Sequence, residues 1–261
     1  MLLLHDMRAS LKERAFWAYA TWLEMITRYR RTRLGVLWMI MPPVAYVLGL
    51  GYLYAHMMSK SAAEFIPHLG IGYVLWRFAI QTIIESGDVF TLHQAFIMDG
   101  RTRFTDYVLR TFARSFLYLI FGLLVVVGVL LFDPLVKNVS ISTLFITMPI
   151  FVANVLWMAT VVALLGARIR DTKEVITTGL IFGFLLTPIL WDASVVPADT
   201  VRGILMRFNP FFHLIEFVRA PALGAMPEIS TFWAVAGMTV GGWAFAAFLY
   251  NRYARYVPLW I

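Results

Sequence analysis

Between Arg28 and Met58 the chain changes character within a few residues. Arg28, Arg30, Arg31 and Arg33 stand close together with no acid among them, and from Leu34 to Met58 no residue carries a formal charge. A helix of about 20 mostly apolar residues crosses the hydrocarbon of a bilayer, and this stretch is long enough with some to spare. The alternative, a buried core helix of a soluble protein, is usually shorter. Arginine at such a boundary is retained on the cytoplasmic side, so the first span is expected to run from inside to outside. The topology of the remaining chain follows from that direction.

Composition points the same way. Of 261 residues 61% are hydrophobic, the mean hydropathy is +0.76, and 14% are charged, against about 25% in an ordinary soluble domain. A net charge of +7 would suit nucleic acid, but the cations lie between apolar runs, as anchoring against an anionic inner leaflet requires. Nucleic acid is therefore not expected as a partner. The absence of cysteine excludes disulfides, thiolate metal sites and cysteine nucleophiles. The start, Met-Leu-Leu-Leu-His-Asp, turns polar too soon for a signal-peptide core, so the first span is expected to act as the insertion signal.

The expected fold is an all-α integral membrane protein with six transmembrane helices. Residues 1–33 form a cytoplasmic segment in which Leu11, Ala15, Tyr19, Trp22, Ile26 and Tyr29 share a helical stripe. Such a helix suits the membrane interface; packing against protein is the other option. The spans are placed at about 35–57, 66–85, 115–132, 141–166, 175–191 and 232–250, within a membrane domain of 34–250 followed by a cytoplasmic tail of 251–261. Pro42-Pro43 should break span 1 near its start, and Gly49 and Gly51 should let a neighbouring backbone approach. Asp133-Pro134 ends span 3. Gly179 and Gly183 form a weak close-packing pattern. In this layout 16 of the 22 Lys and Arg residues fall inside and five outside, with Arg77 within span 2. That asymmetry supports six spans with both ends cytoplasmic.

No enzyme constellation emerges, and no catalytic residue is expected. His213 and Glu216 have an i, i+3 spacing seen in carboxylate-bridged metal sites, but such sites need a second motif that is missing here. No metal or other cofactor is therefore expected in this chain. No Gly-rich phosphate loop followed by Lys is present, so ATP-driven transport would need nucleotide bound by another polypeptide. Ion-coupled carriers usually carry acids inside their spans, and the six spans contain only Glu85, at an edge. Arg77 costs several kcal/mol unless solvated or paired, so it should face protein or an aqueous path. Tyr46, Tyr73, Trp76 and Trp191 either belong to interfacial belts or line a path for sugars, whose C–H faces suit aromatic rings. Asp88 can cap a short helix over about 87–98. Its Val89, Leu92 and Phe96 would share an exposed face, suited to a partner's groove or to the membrane surface.

At these residues the chain resembles the membrane subunit of ABC-type polysaccharide exporters, the O-antigen and capsule export permeases of Gram-negative bacteria. Tyr29-Arg-Arg-Thr-Arg-Leu-Gly-Val-Leu-Trp38 with Pro42 resembles the family's basic approach to its first span. Ala167-Arg-Ile-Arg-Asp171 resembles its inner loop before span five, including Arg168, Arg170 and Asp171. Leu186-Thr-Pro-Ile-Leu-Trp191 resembles the outer end of that span. Asn209-Pro-Phe-Phe-His-Leu-Ile-Glu-Phe-Val-Arg219 resembles its periplasmic Asn-Pro helix, carrying Asn209, Pro210, His213, Glu216 and Arg219.

The resemblance implies a homodimer with a central channel in the bacterial inner membrane. Two copies of a separate ATPase would join it and hold the ATP and Mg. It implies a cytoplasmic coupling helix at 87–98, with Asp88, Val89, Leu92, His93 and Phe96 at the ATPase contact. Residues 192–231 would form short re-entrant helices acting as a periplasmic gate. The substrate would be a lipid-linked polysaccharide whose charged reducing end is met by Arg28, Arg30, Arg31 and Arg33, with further periplasmic export proteins beyond. A phosphate headgroup suits such arginines, although they could serve topology alone. Other cargoes for the same kind of permease are a teichoic acid, a lipid or a drug. A membrane enzyme acting on lipid-linked sugars is the remote alternative.

Overall fold

The computed structural model describes residues 2–100, 102–131, 139–193, 196–197 and 199–261. Among these the chain is all-helical, with no strand. The expected end of the third span, with Asp133-Pro134 and Lys137, and Arg101 of the inner segment lie outside them.

The N-terminal segment is α1 (Leu2–Lys12), a wider π-helical turn at Ala15–Tyr19, and α2 (Ala20–Tyr29). Its buried residues are Leu3, Met7, Ser10, Thr21 and Met25, while Leu11, Tyr19, Trp22 and Ile26 of the expected apolar stripe point away from the protein. The first apolar run is α3 (Gly35–Met57). Pro42-Pro43 breaks its regularity as their missing N–H donors require. A 3₁₀ turn at Gly35–Met39 gives way to Met41–Val44, then to a π-helical stretch at Ala45–Leu50 and α-helix at Gly51–Met57. Gly51 sits against Ile66, while Gly49 has open space around it.

Next come α4 (Ala62–Ser86), two short helices α5 (Val89–Leu92) and α6 (Gln94–Met98), and α7 (Phe104–Leu131). They are followed by α8 (Ile141–Arg168), α9 (Thr172–Leu186), α10 (Val201–Phe208), α11 (Pro210–Ala222) and α12 (Ile229–Tyr253), with a last turn α13 at Val257–Trp260. Among the described residues four segments are long and apolar enough to cross a bilayer: α3, α7, α8 and the stretch Ile229–Trp260. Two expected spans differ from these. Helix α4 is long but carries Glu64, Arg77 and Glu85 and is largely buried, and α9 has only 15 residues.

Helix α4 is the hub of the bundle, packing against α3, α7, α8, α9 and α11; α8 is the second, contacting α4, α11 and α12. One apolar core surrounds α4, with Leu75, Phe78, Phe151 and Leu214 inside it. A second core lies where the two chain ends meet. There Leu3, Val89, Phe90, Tyr107, Leu164 and Tyr250 pack together. The Leu3 backbone N–H donates to Asn251 Oδ1 at 3.0 Å and Tyr250 donates to Asp6 Oδ2 at 3.0 Å, fixing α1 to the end of α12.

Candidate functional site

Along α4, Tyr73, Arg77, Gln81 and Glu85 recur every four residues, which places them on one helical face. They border a cavity of about 430 Å³, closed on its other sides by Trp38, Pro42 and Pro43 of α3, Tyr118 and Gly122 of α7, and Arg28 and Tyr29 at the end of α2. Such a volume is typical of a small-ligand site. The broken start of α3 is what leaves room here, because a proline pair cannot continue a straight helix along α4.

The charges in this region divide into two sets. The Glu85 carboxylate accepts from Arg114 at 2.7 and 3.1 Å and from Gln81 Nε2 at 3.2 Å. Arg114 and Arg110 both donate to Glu24, at 2.7 and 3.1 Å. This network ties α2, α4 and α7 together. Burial works against the charged Glu24, but the Arg114 and Arg110 cations outweigh it and hold its carboxyl below the ordinary range. The second set is uncompensated. Arg28 and Arg77 form no ion pair among the described residues, and Arg28 makes only a long contact, 3.4 Å, to the Tyr118 hydroxyl. A central arginine on a membrane helix costs roughly 2.5–3.5 kcal/mol by insertion measurements unless water or an anion meets it. The Tyr73 ring stacks on Tyr46 with centroids 4.6 Å apart and planes 9° apart, and its buried hydroxyl lies beside the Arg77 guanidinium with no acceptor for its own proton.

The structure thus brings together Arg28, Tyr46, Tyr73 and Arg77, which the sequence reading had placed in two separate groups. Arg30, Arg31 and Arg33 are exposed on the turn leading to α3. Trp76 lies elsewhere, buried between Phe184 and Phe211 at 5.8 and 5.2 Å. Trp191 is half-buried beside a different hollow, with Arg202 and Met206. Sequence reasoning missed Gln81 and Tyr118 and read Arg110 and Arg114 only as topology markers. The four-residue repeat on α4 was the available signal for Gln81.

The 87–98 segment differs from its expected form. It is two short helices broken at His93, and Val89 is buried with Phe90 in the second core while Leu92, Phe96 and Met98 are exposed. Val89 therefore belongs to the buried side of the segment with Phe90, and not to the exposed Leu92–Phe96 surface. Asp88 sits at the cap position but its side chain does not cap. Its Oδ2 accepts instead from Lys173 Nζ at 2.5 Å, joining this segment to α9. His93 donates through Nδ1 to the Val89 carbonyl at 2.8 Å and packs on Tyr107; burial pushes its imidazole below the usual pKa. Backbone contact reinforces the joint: an added Cβ at Gly166 would lie 1.7 Å from the Gly87 carbonyl oxygen.

At the other end of α4, Asn209 caps α11 by accepting from the Phe211 N–H at 3.0 Å, and it donates to Thr187 Oγ1 at 2.8 Å. Pro210 occupies the first helical turn, where its missing N–H is harmless. His213 bridges Thr231 Oγ1 and the Arg207 carbonyl at 3.0 and 2.7 Å. Arg219, 2% exposed, donates to Glu216, to the Pro188 carbonyl at 2.6 Å and to His68 Nε2 at 3.1 Å. Gly72 makes space for it, since a Cβ there would lie 3.3 Å from its Nη1. At the end of α8, Arg168 lies over the Trp260 ring at 5.5 Å, while Arg170 and Asp171 on the loop that follows are exposed. Among the described residues no group of three or more His, Cys, Asp and Glu could hold a metal.

Long apolar helices and apolar side chains left uncovered mark a helical membrane protein, with a polar face of α4 bordering a cation-lined cavity. No family model matches the chain. The O-antigen export system permease protein RfbA of Myxococcus xanthus is 20% identical to it over 209 residues, 76% of each chain. The chain is thus similar, at a distance, to an O-antigen export permease.

Proposed function

We propose that this chain is the membrane subunit of an ATP-driven exporter that moves a lipid-linked polysaccharide of O-antigen or capsule type out of the cytoplasm. The observation that carries the reading is the relative whose identity extends over three quarters of both chains. In this reading α4 and α9 are spans as well as the four longer segments, giving six. Both termini are cytoplasmic, the protein sits in the bacterial inner membrane, and two copies enclose the channel. The Asp192–Thr231 region forms the periplasmic gate, pinned by Asn209 and Arg219.

ATP and Mg are bound by two copies of a separate ATPase. The exposed Leu92, Phe96 and Met98 supply the apolar surface that its groove receives. The outward-facing Tyr19, Trp22 and Ile26 lay the N-terminal segment in the membrane interface. Arg28, Arg30, Arg31 and Arg33 meet the anionic headgroup.

Deleting the gene in its own host and restoring it on a plasmid tests the reading. The deletion strain should lose surface glycan and accumulate lipid-linked polymer inside, and the plasmid should reverse both. Normal surface glycan in the deletion strain would overturn it.

A further inference from the structure

Three observations converge on the cavity beside α4. It is bordered by Arg28 and Arg77, neither in an ion pair among the described residues, while the acid beside them, Glu85, is already held by Arg114 and Gln81. The Tyr73 hydroxyl is on the wall of the same cavity, in a residue 6% exposed, beside the Arg77 guanidinium and with no acceptor for its own proton. Gln81 directs its Nε2 to Glu85, which leaves its buried Oε1 as an acceptor with nothing to accept from.

Each atom specifies what would satisfy it. The guanidiniums and the phenol are donors and want an anion with several oxygens, which phosphate provides. The Gln81 oxygen wants a neutral donor, such as a sugar hydroxyl or acetamido N–H. Gln81 and Arg77 are one helical turn apart, so the two demands lie about 6 Å from each other along α4. A phosphate ester of a sugar presents both groups at that spacing. Trp38 and the Tyr73 ring, stacked on Tyr46, supply aromatic faces beside these groups, while Arg28 and Arg77 are themselves exposed and so open to a ligand. Val74 packed against Gly122 closes the wall between α4 and α7, and Arg28 and Tyr29 border the cavity at the foot of the exposed arginine turn.

We propose that this cavity binds the glycosyl phosphate end of a lipid-linked substrate, with Arg77 and Tyr73 on the phosphate, Gln81 on the adjoining sugar and Arg28 at the mouth. The assignment rests on the export reading for the source of the ligand. It adds a subsite that begins at Arg28, beyond the exposed Arg30, Arg31 and Arg33, and reads phosphate and first sugar together.

The test uses the full chain in lipid nanodiscs, without an ATPase, and four probes. These are a short-chain prenyl diphospho-N-acetylglucosamine, the same prenyl diphosphate without sugar, inorganic diphosphate and the free prenol. The diphospho-sugar should bind most tightly, the prenyl diphosphate more weakly, and the prenol not measurably. Losing one charge-assisted contact is worth roughly a tenfold loss of affinity, so Arg77→Gln should weaken both charged prenyl probes about tenfold. Tyr73→Phe should weaken both several-fold, and Gln81→Leu should weaken only the sugar-bearing probe. Arg77→Lys, which keeps the charge, should recover part of the affinity and guards against a folding defect; Arg255→Gln, far from the cavity, should change nothing. Unchanged binding by Arg77→Gln and Tyr73→Phe overturns the site, and inorganic diphosphate competing as well as the prenyl form overturns the lipid assignment. Absent binding with lost surface glycan in the deletion strain defeats this inference alone. Intact binding with normal surface glycan defeats the export reading alone.

Discussion

The contact between Gly166 and Gly87 offers the sharpest test of the packing, because the same chemical change can be made where there is room and where there is none. A Cβ built on Gly166 would lie 1.7 Å from the Gly87 carbonyl oxygen, 2.6 Å from its carbon and 3.1 Å from its Cα. Ordinary carbon–oxygen contacts are about 3.3–3.6 Å, so one backbone must retreat by roughly 1.6 Å. Overpacking usually costs about 1–3 kcal/mol, and backbone against backbone belongs at the upper end because no side chain can rotate away. Alanine returns about 1 kcal/mol of helix preference, leaving a net loss of about 2 kcal/mol. At about 2–4 °C per kcal/mol for a chain approaching this size, Gly166→Ala should lower the melting temperature by about 4–8 °C. Gly179→Ala, with nothing within 4 Å of its Cβ, should melt at or above wild type. The assay is fluorescence-detected size exclusion after heating in detergent. If both variants melt like wild type, helix α8 does not press on the α4–α5 junction as described. Because Gly87 leads directly into Asp88 and the exposed Leu92, the same variant should also reduce export.

Other outcomes follow from the polar contacts. Arg219→Met leaves Glu216 without its cation and the Pro188 carbonyl without a donor, so stability should fall by about 3–5 kcal/mol; expression and melting temperature read this directly. Asp88→Asn and Lys173→Met break a pair that is partly exposed, and such pairs contribute about 0–1 kcal/mol, so melting should hardly change. Under the proposed export function, glycan exported per ATP hydrolysed should nonetheless fall in the complex with the ATPase, and the exchange Asp88→Lys with Lys173→Asp should restore part of it. His93 is held neutral by burial. Its unfolded form binds a proton below pH about 6.5, its native form only lower. Its contribution to stability is thus complete above about 6.5 and declines as pH falls below that value. Melting between pH 7.5 and 5.5 should drop more for wild type than for His93→Gln, and equal slopes would count against the burial.

Helices α3, α7, α8 and α12 were legible in the sequence because a run of apolar residues long enough to cross a bilayer is a demand of the solvent and needs no knowledge of neighbours. The effect of Pro42-Pro43 was legible for a similar reason, since a missing N–H acts locally. Which side of a short helix is buried is not local. Val89 and Leu92 share a spacing, but the break at His93 and the aromatic contact of Phe90 with Phe104, at 5.6 Å, turn Val89 inward. Asp88 was recognised as a capping position, yet its partner Lys173 is 85 residues away. The cavity was half legible. The repeat Tyr73, Arg77, Gln81, Glu85 is visible in the sequence, whereas the return of Arg28 and Tyr118 to that face depends on how α2 and α7 pack.

In the proposed six-span topology α9 crosses the bilayer, and its shortness then has a consequence for the surrounding lipid. Fifteen helical residues rise about 22 Å, against about 30 Å of hydrocarbon. The chain from Thr187 to Asp192 must cover the difference without a helix, and side-chain donors satisfy it, chiefly Arg219 on the Pro188 carbonyl. A helix in this position would resist thickening of the membrane through its own ladder; a bracket of side chains cannot. Acyl-chain length therefore becomes a control on the protein. Vesicles of short-chain phosphatidylcholine should support faster export than vesicles of long-chain lipid, and lengthening α9 by one turn of leucines before Thr187 should move that optimum toward the longer chains.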